Sequence, residues 1–266
     1  KANAYGHGAI ECARALADHA DAFAVACIEE AIELREAGIT RPILLLEGWF
    51  EASELPLINQ HQLWTVVHAD WQVADLLAAT VSAPLHIWLK LDTGMHRVGF
   101  APEQYANVWR QLQASPQVAS LSKISHFSRA DEPDTGRTEE QMTVFARATE
   151  GLDGRASLCN SAGVLAWPQA HGDWLRPGIM LYGATPFGFP QEHAARLQPV
   201  MQLQSRVIAV RELPVGEPIG YGSRFVTARP TRVGVVAMGY ADGYPRHAPD
   251  GTPVLIDGQR SQLIGK

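Results

Sequence analysis

Leu85-His86-Ile87-Trp88-Leu89-Lys90-Leu91 is a short, mostly apolar run that closes on a lysine and is followed by the turn Asp92-Thr93-Gly94. An amphipathic stretch, Pro102–Gln113, comes after it, so a strand pattern gives way to a helix pattern within thirty residues. The same alternation runs through the first two hundred residues. Strands are expected at Ala22–Ala26, Pro42–Glu47, Trp64–His68, Leu85–Leu91, Ser122–Phe127, Ser157–Asn160 and Ile179–Tyr182. Helices are expected at Ala9–His19, Glu29–Ala37, Trp71–Ala79, Pro102–Gln113 and Glu139–Glu150. Gly38 stands where a helix C-terminal glycine belongs, and Thr138 with Gln141 has capping-box spacing.

Strand–helix alternation implies a parallel sheet. Seven strands are legible, and an eighth ending at Lys1 completes an α/β fold of the (β/α)8, TIM-type barrel class. Strand C-termini then place Lys1, Lys90, His126 and Asn160-Ser161 on one rim, where barrel enzymes keep their chemistry. After about Pro199 the texture changes. Met201–Leu213, Arg232–Met238 and Thr252–Ile256 are strand-like, helix patterns vanish, and Asp257-Gly258 is a hairpin signal. The expected organisation is a barrel over residues 1–198, lacking its first strand, and a partial, mostly β domain over 199–266. With no initiator methionine and an end just after a strand-like pattern begins, the chain reads as truncated at both ends.

Composition narrows the function. The chain has 266 residues, 46% hydrophobic and 19% charged, with a net charge of -6. No basic stripe is visible, which argues against nucleic acid as a partner. No apolar run reaches the roughly 18 residues that span a bilayer, so no membrane partner is expected. Cys12, Cys27 and Cys159 lack close spacing and read as reduced, buried thiols of a cytoplasmic protein, with no metal site.

Several segments carry chemistry, each with a plainer alternative. Lys1 opens Lys1-Ala2-Asn3-Ala4-Tyr5-Gly6-His7-Gly8; its amine can form a Schiff base with an aldehyde, and small neighbours leave room for a ring and a phosphate. Taken alone it is a surface lysine. Arg176, in Arg176-Pro177-Gly178-Ile179, either pairs with a surface carboxylate or points a permanent charge at a ligand, with the Gly178 and Ile179 N–H groups suited to a phosphate. In Asn160-Ser161-Ala162-Gly163, Ser161 holds a phosphate or the turn caps a helix. His126 near a strand end is a ligand contact or a hydrogen-bonded core histidine. Lys90 closes an apolar run and must be paired, modified or exposed, while Arg97 can grip a carboxylate in a bidentate way. Tyr221, between Gly220 and Gly222, is a phenol without steric cover or part of a hairpin bend.

Together, Lys1–Gly8, Lys90–Gly99, Arg176–Gly183, Gly220–Phe225 and Gly239–Arg246 resemble bacterial alanine racemase, a fold-type III pyridoxal-phosphate family, over essentially the whole chain and in the family's order. The resemblance implies that Lys1 carries the cofactor and serves as one of two bases. Tyr221, supplied by the partner subunit of a homodimer, is the other. It also implies that Arg176 faces the ring nitrogen, held by His126, and that Tyr5, Ser161, Gly178 and Ile179 hold the phosphate. Arg97 lies against the substrate carboxylate, and Lys90 is a lysine that can be carbamylated. The implied reaction interconverts L- and D-alanine and supplies D-alanine for peptidoglycan. Relative to the family pattern, the chain lacks a strand and helix before the lysine, and a Met-Asp pair and a late tyrosine at the end. Alternatives are a broad-specificity amino-acid racemase, a non-catalytic pyridoxal-phosphate protein of cofactor homeostasis, and a basic amino-acid decarboxylase. Arg176 opposes the decarboxylase, whose ring nitrogen meets an acid. The β region with Tyr221 opposes the homeostasis protein.

Overall fold

Strands β1 (Phe23–Val25), β2 (Ile43–Leu45), β3 (Trp64–Val67), β4 (Leu85–Lys90), β5 (Val118–Ile124) and β6 (Ala156–Ser157) form one parallel sheet in sequence order. The computed structural model describes residues 1–265. Each strand pairs with the next, the neighbour order of a (β/α) barrel, because a helix or loop carries the chain back over the same face every time. Strand alternation then sorts the side chains. Ile43, Leu45, Val67, Ile87 and Leu89 face the layer of helices, whereas Leu44, Val66, Trp88 and Ile124 form a second cluster on the opposite face. Trp64, Trp88 and Trp174 meet in that second cluster with ring centroids 5.5 to 6.1 Å apart. The helices bury residues at helical spacing. Tyr105, Val108, Trp109 and Leu112 of Pro102–Gln113 are buried, and the Tyr105 hydroxyl donates to the Leu89 carbonyl at 2.9 Å. Each such apolar side chain contributes roughly 1.5–3 kcal/mol by leaving water.

The helices fall within a few residues of expectation, at Ala9–Leu16, Ile28–Glu36, Asp70–Ala78, Pro102–Gln113 and Arg137–Ala148. Gly38 takes the left-handed conformation after the second of them, with φ 87°. Two expectations fail. Thr138 does not cap a helix: it lies inside Arg137–Ala148, its buried hydroxyl has no hydrogen-bond partner, and Gln141 is spent on other loops. Ile179–Tyr182 is not a strand but a 3-10 turn. The Ser161 hydroxyl accepts the N–H groups of Gly178 (2.9 Å) and Met180 (3.3 Å) that a ladder would need, and Gly183, at φ 77°, ends the turn. Beside β6 runs a short extended segment instead, held by Trp174 N–H on the Ala156 carbonyl and Arg176 N–H on the Cys159 carbonyl, both 3.1 Å.

Backbone contacts divide the chain after Met201. From Gln202 onward the strands pair only antiparallel: β7 (Val207–Leu213) with β10 (Thr231–Val236), β8 (Pro218–Ile219) with β9 (Phe225–Val226), and β11 (Pro253–Ile256) with β12 (Gln259–Gln262). Asp257 and Gly258, at φ 49° and 79°, make the two-residue turn between β11 and β12 that the sequence predicts. Cys159 is buried, Cys12 and Cys27 are half-buried, and none forms a disulfide. No helix among the described residues is long and apolar enough to cross a membrane.

The loop after β4 folds back on itself. Phe100 N–H donates to the Lys90 carbonyl (2.8 Å) and Asp92 N–H to the Phe100 carbonyl (2.9 Å). Gly99 sits at φ 131°, and a Cβ there would stand 2.8 Å from the Asp92 nitrogen. Gly99→Ala therefore opens this closure and costs about 3 kcal/mol, read as a lowered urea midpoint of the cofactor-free chain.

Candidate active site

A cavity of about 880 Å³ collects side chains that are far apart in sequence. Lys1 and Tyr5 enter it from the first residues, Lys90 and Arg97 from the end of β4 and its loop. His126 follows β5. Ser161, Arg176, Gly178 and Ile179 complete the set, so nine of the ten residues singled out in the sequence line one space. The tenth, Tyr221, belongs to the second unit, on a 3-10 turn between β8 and β9 with Gly220 and Gly222 both at φ 74°, and it is 68% exposed.

The segment after Lys1 is unusual. Ala2, Asn3, Ala4 and Tyr5 all have φ between 49° and 57°, a left-handed turn built without glycine. Such a conformation costs about 1–2 kcal/mol per residue. Part of that is offset by local bonds: Tyr5 N–H to the Lys1 carbonyl (3.0 Å), Gly8 N–H to the Asn3 carbonyl (3.0 Å), and Ala9 N–H to Asn3 Oδ1 (2.7 Å), which ties the turn to the next helix. His7 stacks on Tyr182 at 4.2 Å between centroids, and Tyr5 meets the same ring at 5.2 Å. The result aims the Tyr5 phenol at Gly178, where a Cβ would stand 2.6 Å from the Tyr5 hydroxyl. Tyr182 was missed in the sequence, because its only signal was membership of an apolar run read as a strand.

Arg176 is the most constrained group. Its guanidinium is enclosed and donates to Ser157 Oγ (2.5 Å), the Ser125 carbonyl (2.6 Å), the Leu158 carbonyl (3.1 Å) and His126 Nδ1 (3.3 Å). None of these partners is a carboxylate, and no ion pair of Arg176, Arg97 or Lys90 occurs among the described residues. Burial without a counter-ion pushes its pKa down to about 10. Guanidinium can only donate, so His126 Nδ1 is the acceptor and the neutral ring carries its proton on Nε2. Burial, then Arg176, Lys90, Arg97 and Lys1, push the His126 pKa down to about 3. Lys90 is held down to about 8 by burial and then by Arg176, Arg97 and Lys1, against the pull of Asp92. Lys1 is lowered by burial and then by Arg97 and Arg176, with Glu30 and Glu47 opposing.

Asn160, which the sequence left between phosphate site and cap, is the cap: Gly163 N–H donates to its Oδ1 at 3.0 Å and starts the helix Ser161–Ala166. That cap orients Ser161. The loop bearing Arg97 is folded by Asp92, whose carboxylate accepts the N–H groups of Gly94 (2.9 Å) and His96 (3.0 Å) and meets His96 Nδ1 at 3.0 Å. Four basic side chains (Lys1, Lys90, Arg97 and Arg176) line the cavity with three carboxylates (Glu30, Glu47 and Asp131), and the two guanidiniums, unpaired among the described residues, favour an anionic ligand.

Family models for the N-terminal domain of alanine racemase and for its C-terminal domain match residues 1–186 and 200–266. The chain belongs to the alanine racemase family. It is 63% identical over 266 residues to the catabolic alanine racemase of Pseudomonas putida, covering all of this chain and 74% of that protein. It is 61% identical, with the same coverage, to the catabolic alanine racemase of Pseudomonas aeruginosa. The crystal structure of the biosynthetic alanine racemase of Pseudomonas aeruginosa superposes with a TM-score of 0.95 at 50% identity, over 99% of this chain and 74% of that one. This member of the family thus spans about three quarters of the length of these relatives.

His126 supplies a pH signature. Unfolded, it takes up a proton near 6.5; folded, only near 3. Across that window the unfolded chain binds the extra proton, so stability present above about pH 6.5 is lost as pH falls, with a slope of up to ~1.4 kcal/mol per unit. Urea midpoints measured between about pH 4 and 7 fall less steeply for His126→Gln than for the wild-type chain.

Proposed function

We propose that the chain interconverts L- and D-alanine with pyridoxal phosphate carried by Lys1, and that the active unit is a homodimer. The observation that carries this reading is the enclosed, carboxylate-free Arg176 in the same cavity as Lys1. The residues present suit the cofactor. Tyr5 hydroxyl, Ser161 Oγ and the Gly178 backbone converge where a Cβ would intrude, and Ile179 N–H, first of its 3-10 turn, has no partner within the turn. The Tyr5 and Ser161 hydroxyls and the Ile179 N–H are donors for a phosphate, while Gly178, whose own N–H is spent on Ser161 Oγ, keeps the approach clear of a Cβ. Arg176 suits a ring nitrogen that stays unprotonated, since a cation disfavours a second cation beside it. Bound there, pyridoxal phosphate supplies an electron sink that stabilises negative charge at the substrate Cα.

The chain's own groups do the rest. Lys1 Nζ removes or returns a proton on one face of Cα, and its lowered pKa suits that exchange. Tyr221 Oη serves the opposite face from the partner subunit; its exposure in its own unit leaves it available for that role. Two bases on opposite faces need only trade protonation states, whereas one base would have to cross the substrate. Arg97, without a carboxylate partner of its own, grips the substrate carboxylate. His126, neutral, accepts from Arg176 and keeps that guanidinium in place. Lys90, buried with a pKa of about 8, gives up its proton more readily than an ordinary lysine, and its neutral amine can add to CO2, releasing one proton to solvent as the carbamate forms, which would give Arg97 the anion it lacks. A cytoplasmic setting fits this chemistry.

The identity to relatives named catabolic exceeds that to the relative named biosynthetic, which favours alanine breakdown over D-alanine supply for peptidoglycan. A deletion strain that needs no added D-alanine but grows poorly on alanine supports the catabolic role; a strain that needs D-alanine restores the biosynthetic one. A broad-specificity racemase remains the second reading, decided by racemisation assays on a panel of amino acids.

Lys1→Ala is expected to remove the visible absorbance of the loaded enzyme and to cut racemisation by about a thousandfold or more. Tyr221→Phe slows Cα-proton exchange far more from one enantiomer than from the other; equal loss would contradict two bases. With 13C-labelled bicarbonate, a carbamate resonance is expected in the wild-type protein and absent in Lys90→Ala.

A further inference from the structure

Gln141 lies on the helix Arg137–Ala148 and is fully buried, yet every polar atom of its side chain is used. Oε1 accepts Ser128 N–H (2.9 Å) and Ser128 Oγ–H (3.0 Å), while Nε2 donates to Thr93 Oγ1 (2.9 Å) and to the His126 carbonyl (3.0 Å). The amide therefore joins the loop after β4, which carries Arg97, to the end of β5, which carries His126. A directed chain continues from it. Ser125 Oγ donates its one proton to the Leu91 carbonyl (2.9 Å), so in the 2.9 Å contact between Thr93 and Ser125 the threonine must donate. Thr93 Oγ1 is then left to accept from Gln141. The same Ser125 gives its carbonyl to Arg176.

We propose that Gln141 is a positioning residue: by fixing the Thr93 loop to the His126 strand end, it sets the spacing between the Arg97 and Arg176 guanidiniums across the cavity. Two cations repel, and neither Arg97 nor Arg176 has an ion pair among the described residues, so the backbone that bears them fixes their separation. Beyond the Leu91 bonds to the Ile124 carbonyl and the Ser125 hydroxyl, Gln141 and the Thr93–Ser125 hydroxyls link the loop after β4 to the end of β5, and Arg137 ties the same helix to that loop by donating to the Gly94 carbonyl at 2.7 Å. Gln72 is a useful contrast. It is equally buried and joins the Glu47 and Trp49 carbonyls to His68 N–H, so it links the loops after β2 and β3 and makes none of these bonds to the loop that carries Arg97.

The consequence for catalysis rests on the reading of Arg97 as the substrate-carboxylate contact, and the experiment separates the two. Gln141→Leu removes all four bonds, and Gln141→Glu keeps the size and the acceptor for Ser128 but loses both donors. In the cofactor-free chain, amide hydrogen exchange at Gly94 and His96 is expected to rise in both variants and to stay at the wild-type rate in Gln72→Leu, although Gln72→Leu is also destabilised. In the holoenzyme, KM for alanine is expected to rise about tenfold with a smaller fall in kcat. If Gln141→Leu does not fold, Gln141→Glu decides. Loop exchange no faster than in Gln72→Leu, or a KM within twofold of wild type while Arg97→Lys raises it, overturns the proposal. If Arg97→Lys itself leaves KM unchanged, the carboxylate reading fails, and loop exchange alone decides the role of Gln141.

Discussion

A guanidinium enclosed without a carboxylate is the constraint around which the first unit is arranged. Burying Arg176 costs the hydration of a permanent charge, and the structure offsets that with four acceptors: the Ser157 hydroxyl, the Ser125 and Leu158 carbonyls, and the His126 imidazole. Each acceptor comes from the C-terminal end of β5 or β6 or from the residues just beyond. A parallel sheet is what brings those ends together with their carbonyls free, because its strands all finish on the same side. The charge then governs its neighbours. His126 stays neutral beside it, and Lys90 loses part of its preference for the proton.

The rest of the cavity is held by strain and by buried amides. Four consecutive left-handed residues after Lys1 would not persist in isolation. They do so because Asn3 ties them to the helix at Ala9 and because His7 and Tyr5 pack on Tyr182. On the other side Gln141 sets the loop of Arg97 against the strand of His126. Pre-organisation of this kind places donors for an anionic ligand before any ligand arrives.

Much of this was legible in the chain itself. The alternation around Leu85–Leu91 and Pro102–Gln113 gave the parallel sheet, because burial on both faces demands apolar strands and covering helices demand periodic ones. Lys1, Arg97 and Arg176 were recognisable because their neighbours form specific motifs. Ile179–Tyr182 misled, since an apolar tetrapeptide between two glycines has no period to separate a strand from a 3-10 turn, and what decided it was a hydroxyl eighteen residues upstream. Gln141 misled in the same way. Its spacing from Thr138 suits a capping box, but the amide, buried inside the helix, is taken by the four bonds to Thr93, His126 and Ser128.

The sequence by itself determined the sheet, its helices, the change to antiparallel pairing after the first two hundred residues, and which side chains have the chemistry for a racemase. These follow from local rules: periodicity, glycine placement and short motifs act within a few residues. Only the tertiary structure decided which acceptors surround Arg176, which hydroxyl takes the Gly178 and Met180 amides, and which glutamine spans the gap between Thr93 and His126. Those choices depend on distances between strand ends, and distances across a sheet are fixed by packing rather than by neighbours in the chain.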